Sequence, residues 1–463
     1  MALNTFKNIF VYKNTRFLCG RYLKGIISST CNMNLIHNNV PQGWYSTESK
    51  PPNKYEGVVG TLGELKIKLA LEMGVNRVYK PVGTSRAHLS KFLPKSQEEL
   101  PHRSMSDSFI ATIIPLSTDE TLQEKYTTFL GHVRVGRLLE DMDIFAVIVA
   151  RKHILNPNHP ENELFPQTLV TVLVDRIDFT EFQPRPNDDI RISGHVSWVG
   201  RSTMEVVVWL EQFEDNKWHR ITRALFIIAA RDPTNTKATV VNLLKPASER
   251  EKTILAGGED RKKRRMLIDT THVSKVIPNV EEQKLIHDLY MKTVDQNNLS
   301  MAKRKLPENG VWMGDAKLSN MIFSQPEDRN LHNTVFGGFI MRHATELSWV
   351  LGYKYSKYRP VLKSISDISF KKPIAVNSLI QMHSTMVYTF QNYMQILVLA
   401  EVYNPLTGKS DTTNAFHFTL QAPEKVNEVI PLSYHEAMMY IDGRRHFMNI
   451  MDSVNLTGFK SKL

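Results

Sequence analysis

One helix-like run followed by several strand-like runs occurs twice in this chain, and that recurrence constrains the fold more than any other feature. In the first copy GRLLEDMDIFAVIVARK, from Gly136, has helical texture, and TLVTVLVDRIDF, DIRISGHVSWVG, STMEVVVWLEQF and RITRALFIIAARD follow it, rich in Val, Ile, Thr and Trp. In the second, FGGFIMRHATELSWVLG, from Phe336, precedes VLKSISDISF, SLIQMHSTMVYT, YMQILVLAEVYN and TTNAFHFTLQAP. Asp178 and Phe179 match Ser369 and Phe370, Met204 matches Met394, Glu211 matches Glu401 and Ala224 matches Ala415, at separations of 190 or 191 residues. Unrelated domains would need chance to produce that spacing, so duplication is the economical reading. Connections short enough for hairpins make each copy an antiparallel sheet with one helix, an α+β unit.

The copies are read as domains over 105–232 and 311–425, joined by a linker over 233–310 and followed by a tail over 426–463. Residues 48–104 form a linker with one short helix, because Thr61 and Glu64 have capping-box spacing ahead of LKIKLALEMG. Residues 1–47 hold no Asp or Glu but carry Lys7, Lys13, Arg16, Arg21 and Lys24, the composition of a mitochondrial transit peptide. Both cysteines, Cys19 and Cys31, fall in that segment. A processed chain then has no disulfide, thiolate nucleophile or cysteine-ligated zinc. The formal charge of +11 stays positive without the segment, which suits a matrix protein or the capture of a polyanionic small molecule and does not single out nucleic acid. No apolar run reaches the length of a membrane-spanning helix.

Several reactive motifs are missing. The chain has no Gly-x-Ser-x-Gly elbow, no Walker-type phosphate loop, no His-Glu-x-x-His and no Gly-x-Gly-x-x-Gly. What remains is the helix start of each copy. Gly337 and Gly338, with Gly136 as their counterpart, let a ligand approach the first-turn N–H groups, which can stabilise an oxygen gaining negative charge. The plainer alternative is a close helix-to-sheet contact that needs only the absence of a side chain. Glu140, Asp141 and Asp143 stand near the start of the first helix, where an acid is commonly a dipole partner.

HNTVFGGFIMRHATEL, GHVSWVGRSTMEVVVWLE and LLEDMD, together with VWM at 311–313 and the tail YHEAMMYIDGRRHF, resemble the double hot-dog acyl-coenzyme A thioesterases from about Ser104 to Phe447. The resemblance implies a tandem double hot-dog, each antiparallel sheet wrapped around a long central helix. It implies hydrolysis of acyl-CoA to fatty acid and CoA with neither metal nor organic cofactor, and association into a homo-oligomer. It also implies a site shared between the copies, with an acid from one central helix and an Asn from the loop ahead of the other. Aligning Gly136 on Gly338 makes Asp143 the acid, with Thr345 at the same place in the second copy. Asn333 is the loop residue, although its spacing to the glycines is one residue longer than the family pattern and leaves Thr334 at the aligned position. Gly338 is expected to hold the thioester oxygen, Gly136, Gly337 and Thr334 to line the substrate, and Glu346 to be the acid of a second site. His332 and His343 are read as loop and surface residues. RKKRR at 261–265 is a solvated linker, a contact for CoA phosphates or a nuclear or nucleic-acid patch. A hot-dog protein that binds acyl-CoA as a sensor or scaffold without hydrolysing it is the alternative reading.

Overall fold

Thr61 starts the first helix, α1 (Leu62–Glu72), by the predicted capping box. Its hydroxyl accepts the Glu64 N–H at 3.3 Å, and Glu64 Oε2 accepts the Thr61 N–H at 2.9 Å, satisfying two first-turn donors at once. The computed structural model describes residues 55–74, 86–271, 275–295, 303–328, 330, 334–366, 368–370 and 372–458, with the backbone only for 266–271 and 452–458. The transit peptide read over 1–47 lies outside these residues, as do Asn333 and His332. All of the described residues belong to one compact unit, Lys50–Leu463.

Helices α2 (Met105–Ser108) and α3 (Glu120–Tyr126) flank strand β1 (Ile110–Ile114) and lead to the long helix α4 (Val135–His153). Leu138, Leu139, Met142, Phe145 and Val149 of α4 are fully buried, and Arg151 and Lys152 complement the negative end of its dipole. Strands β2 (Thr168–Val174), β3 (Ile177–Phe179), β4 (Ile190–Val199), β5 (Thr203–Glu214) and β6 (Lys217–Arg231) follow, then helices α5 (Glu249–Thr271) and α6 (Val280–Met291). The second half runs β7 (Gly310–Trp312), β8 (Lys317–Phe323), α7 (Gly337–Ser356), β9 (Val361–Ile365), β10 (Ile368–Ser369), β11 (Leu379–Phe390), β12 (Tyr393–Asn404), β13 (Lys409–Gln421), β14 (Glu428–Ile430) and α8 (Tyr434–Gly458).

Twelve of these strands form one antiparallel sheet whose main path is β1-β4-β5-β6-β3-β9-β13-β12-β11-β8. The halves join where β2 pairs with β10 and β3 with β9, Ile177 lying opposite Ile365. Their internal registers repeat. A bulge at Val196/Trp198 between β4 and β5 recurs at Met386/Tyr388, and one at Leu210/Glu211 recurs at Ala400/Glu401. The hairpins between β5 and β6 and between β12 and β13 differ. Asp215 and Asn216, with φ of 49° and 61°, make a two-residue turn in the first half, whereas four residues, Pro405 to Gly408, separate the strands in the second. The extra pair shifts β13, so Ala224 faces Val208 while Phe416, not Ala415, faces Val398. The sequence match of Ala224 with Ala415 is therefore out by one residue.

α4 packs on β2, β4, β5 and β6, and α7 on β8, β11, β12 and β13, with the two helices side by side. Side chains alternate across a strand, so Val206 and Val208 face α4 and Glu205 faces away. That outer face is covered by α5. Arg261 donates to Glu205 Oε1 at 2.6 Å, Arg265 to Glu205 Oε2 at 3.1 Å and to Asp175 Oδ2 at 3.3 Å, and Arg264 to Asp175 at 3.4 Å. The RKKRR run thus belongs to a helix whose arginines neutralise two buried carboxylates, and it is not a solvated linker. In the second half α8 covers the equivalent face of β11, β12 and β13. Among the described residues, no helix is long and apolar enough to cross a membrane.

Candidate active site

The two central helices pass each other in opposite directions at their N-terminal ends, and glycine sets how closely. A Cβ on Gly136 would stand 3.1 Å from the Arg342 carbonyl oxygen, and one on Gly338 would stand 2.8 Å from Glu140 Cα. The close approach is therefore helix to helix, where the sequence offered helix to sheet. Glu140 and Arg342 occupy matching positions in the two helices and pair across the crossing at 3.0 Å, with Arg137 on the same carboxylate at 2.8 Å.

One turn further along α4, Asp143 is only 2% exposed. Its Oδ1 accepts the Thr171 hydroxyl of β2 at 2.6 Å, and its Oδ2 accepts the Gly338 N–H in the first turn of α7 at 2.7 Å. Burial pushes its pKa above the ordinary carboxylate value, the Thr171 and Gly338 hydrogen bonds pull it down, and the charge of Glu140 pushes it up. Burial outweighs the hydrogen bonds, which leaves a carboxylate more basic than a solvated one. Gly337 faces the same carboxylate, since a Cβ there would stand 2.8 Å from the Phe370 ring and 3.4 Å from Asp143 Oδ2.

The duplication provides an internal comparison. Thr345 takes the place of Asp143 and donates its hydroxyl to the Met341 carbonyl of its own helix at 2.7 Å. Thr171 sits at a bulge between β2 and β6, and Leu362 sits at the matching bulge between β9 and β13. The acid and its hydroxyl donor are thus both absent from the symmetric position.

The expected residues fare unequally. Asp143, Gly337 and Gly338 come together. The Gly338 N–H, expected to hold a substrate oxygen, is instead engaged by Asp143, because a buried carboxylate needs donors and a helix N-terminus offers them. Gly136 lies at the helix crossing against Arg342. Thr334 is held by Asn330, its N–H donating to the Asn330 side-chain Oδ1 at 3.2 Å and its carbonyl accepting the Asn330 N–H at 2.7 Å. Glu346 does not join Asp143. Its side chain is 39% exposed and pairs with Arg134, ahead of α4, at 2.6 Å. His343 is half-buried rather than fully on the surface, and it packs edge-on against Phe339 with ring centroids 4.5 Å apart. Burial and then the Arg342 charge lower its pKa to about 4, so it is neutral at pH 7. Sequence reading missed Thr171, whose hydroxyl looks like ordinary β-branched strand composition until the chain is folded.

No family model matches the chain. It is 39% identical to the mitochondrial acyl-coenzyme A thioesterase 9 of Mus musculus, across 85% of this chain and 90% of that protein. With the mitochondrial acyl-coenzyme A thioesterase 9 of Homo sapiens it shares 37% identity, covering 88% of this chain and 92% of that one. Among solved structures it is similar to an acyl-CoA hydrolase from Staphylococcus aureus in complex with butyryl coenzyme A, coenzyme A and coenzyme A disulfide. That match has 22% identity over 33% of this chain and 99% of the other, with a TM-score of 0.30. The resemblance read from the motifs is borne out along most of the sequence.

Proposed function

We infer, from the premise that this chain belongs to the acyl-coenzyme A thioesterase family, that Asp143, Thr171 and the first turn of α7 form its hydrolytic centre. The chain is an acyl-CoA thioesterase, cleaving acyl-CoA to a carboxylic acid and CoA. The observation that carries the assignment of the centre is Asp143, fixed by Thr171 from its own half and Gly338 from the other, while Thr345 and Leu362 stand at the symmetric position. One site per chain is competent on this reading.

Asp143 takes a proton from water as the water attacks the thioester carbonyl, and returns it to the departing thiolate of CoA. Burial raises its pKa, which makes it a stronger base than a solvated carboxylate. The Gly338 N–H positions the carboxylate. The Gly337 N–H, which has no hydrogen-bond acceptor among the described residues, receives the carbonyl oxygen as it becomes an oxyanion, at the positive end of α7. Asn333 orients the water or the carbonyl, and Thr334 lines the approach. Release of free CoA thiol by the wild type and by Asp143→Asn, over a panel of chain lengths, tests this. Equal rates would remove Asp143 from the centre.

The repeated registers support reading the halves as a tandem double hot-dog over 105–232 and 311–425, braced outside by α5 and α8. The relatives' mitochondrial names and the acid-free basic segment over 1–47 support a mitochondrial location, in the matrix. Assembly into a homo-oligomer accords with the family and is measured by sedimentation.

A further inference from the structure

α8 is fastened to the outer face of the second half by a cluster unlike the arginine pairs that fasten α5. His417 projects from β13, and Asp442 and His446 lie one turn apart on α8, where an i,i+4 spacing puts both on one face. His417 Nε2 is 3.4 Å from Asp442 Oδ2, and His446 Nε2 is 3.9 Å from the same oxygen. The three donor atoms all lie within 4.8 Å of one another. His417 and Asp442 are buried, and the His446 side chain is 23% exposed.

We propose that His417, Asp442 and His446 bind a divalent transition cation of the zinc class, which cross-braces α8 to β13. Two ligands about 2.1 Å from one tetrahedral ion stand about 3.4 Å apart, the separation His417 and Asp442 already have. His446 closes the remaining gap. Its ring now stacks on that of His417 with centroids 3.7 Å apart, so chelation requires the more exposed His446 to turn until both nitrogen lone pairs meet one ion. Two imidazoles and a carboxylate are a donor set that suits zinc and disfavours calcium and magnesium, which prefer all-oxygen shells. The partial exposure of His446 leaves water a route to the fourth coordination position. The cluster lies on the face of the sheet opposite α7, away from Asp143, so the ion takes no part in hydrolysis. Its spacing was not legible in the sequence because one ligand is on a strand and two are on a helix that follows later.

The full chain, stripped with a chelator and dialysed, is titrated with Zn²⁺ and then with Co²⁺ at pH 7.5. Binding of one ion per chain, a rise in unfolding temperature and the visible absorption of tetrahedral Co²⁺ are expected in the wild type. All three are expected to be lost in His446→Ala, whose partly exposed side chain can be removed without emptying the core, while its rate of acyl-CoA hydrolysis stays within about twofold of wild type. Asp442→Asn is expected to weaken binding at least tenfold. Failure of the wild type to bind, or retention of the same stoichiometry and Co²⁺ spectrum in His446→Ala, overturns the proposal.

Discussion

The Gly338 N–H donates to Asp143 Oδ2 at 2.7 Å, so an acid from one half of the chain is held by a backbone amide from the other. If that carboxylate is the proton acceptor, Asp143→Asn keeps its shape and removes its basicity. General-base losses run to about 10²–10⁴-fold, and a drop of that size in kcat, with KM little changed, is expected in a thiol-release assay. Thr345→Val, at the symmetric position, is expected to leave kcat within about twofold, because no second acid depends on it. Hydrolysis through an anhydride on Asp143, opened by water at the Asp143 carbonyl, would instead appear as ¹⁸O entering the Asp143 side chain in a single turnover in labelled water.

Thr171 tunes the same group. Its hydroxyl lowers the Asp143 pKa while burial raises it, so Thr171→Val removes a lowering influence and leaves burial less opposed. A base works when deprotonated, hence activity rises with pH through its pKa. The acid limb of kcat against pH is expected to move to higher pH in the variant. An unmoved limb would mean that Thr171 does not act on the catalytic group.

How much of this was legible beforehand depended on whether the signal was local. The strand runs such as YMQILVLAEVYN and the capping box at Thr61 were readable because alternation and cap spacing are properties of neighbouring residues. Glu211 and Glu401 were correctly matched because the same bulge recurs beside both. Ala224 was misplaced by a difference in hairpin length, which shifts register without altering composition. Thr171 and the partners of Arg261 and Arg265 were hidden because each contact joins segments distant in sequence. α5 and α8 escaped because their role is to lie on a sheet face that exists only after folding.

Asp143 also makes a stability prediction. Its folded pKa is raised, so its ionisation favours the unfolded chain. The contribution is fully favourable below the ordinary carboxylate pKa of about 4 and is lost as pH rises through the folded value. Asp143→Asn should therefore unfold at a higher urea concentration than wild type at pH 7, with the difference shrinking as the pH falls toward 4. A variant less stable at pH 7 would show that the hydrogen bonds outweigh burial.

The adjacent glycines separate packing from chemistry. Gly338→Ala drives a methyl against the Glu140 backbone at 2.8 Å, which must part the central helices, and overpacking of this kind costs about 1–3 kcal/mol. Gly337→Ala meets the Phe370 ring instead, a side chain that can turn. Gly337→Ala is expected to cost less stability in urea than Gly338→Ala, yet to reduce kcat by disturbing the space beside Asp143.

Glu205 is fully buried beneath α5, where Ser197 donates to its Oε1 at 2.8 Å and Arg261 at 2.6 Å. Removing one partner of a buried pair exposes the other to the full desolvation cost, about 3–5 kcal/mol when nothing replaces it. Arg265 still reaches the carboxylate, so Arg261→Ala should cost somewhat less than that range in urea unfolding. Glu205→Gln in the same chain should recover part of the loss, because a neutral amide needs no counter-charge. Lys263→Ala, on the exposed side of the same helix, should change stability by no more than about 0.5 kcal/mol. If the basic run served CoA phosphates instead, Arg261→Ala would raise KM for acyl-CoA but not for acyl-pantetheine. The pairing with Glu205 predicts the same KM change, or none, for both substrates.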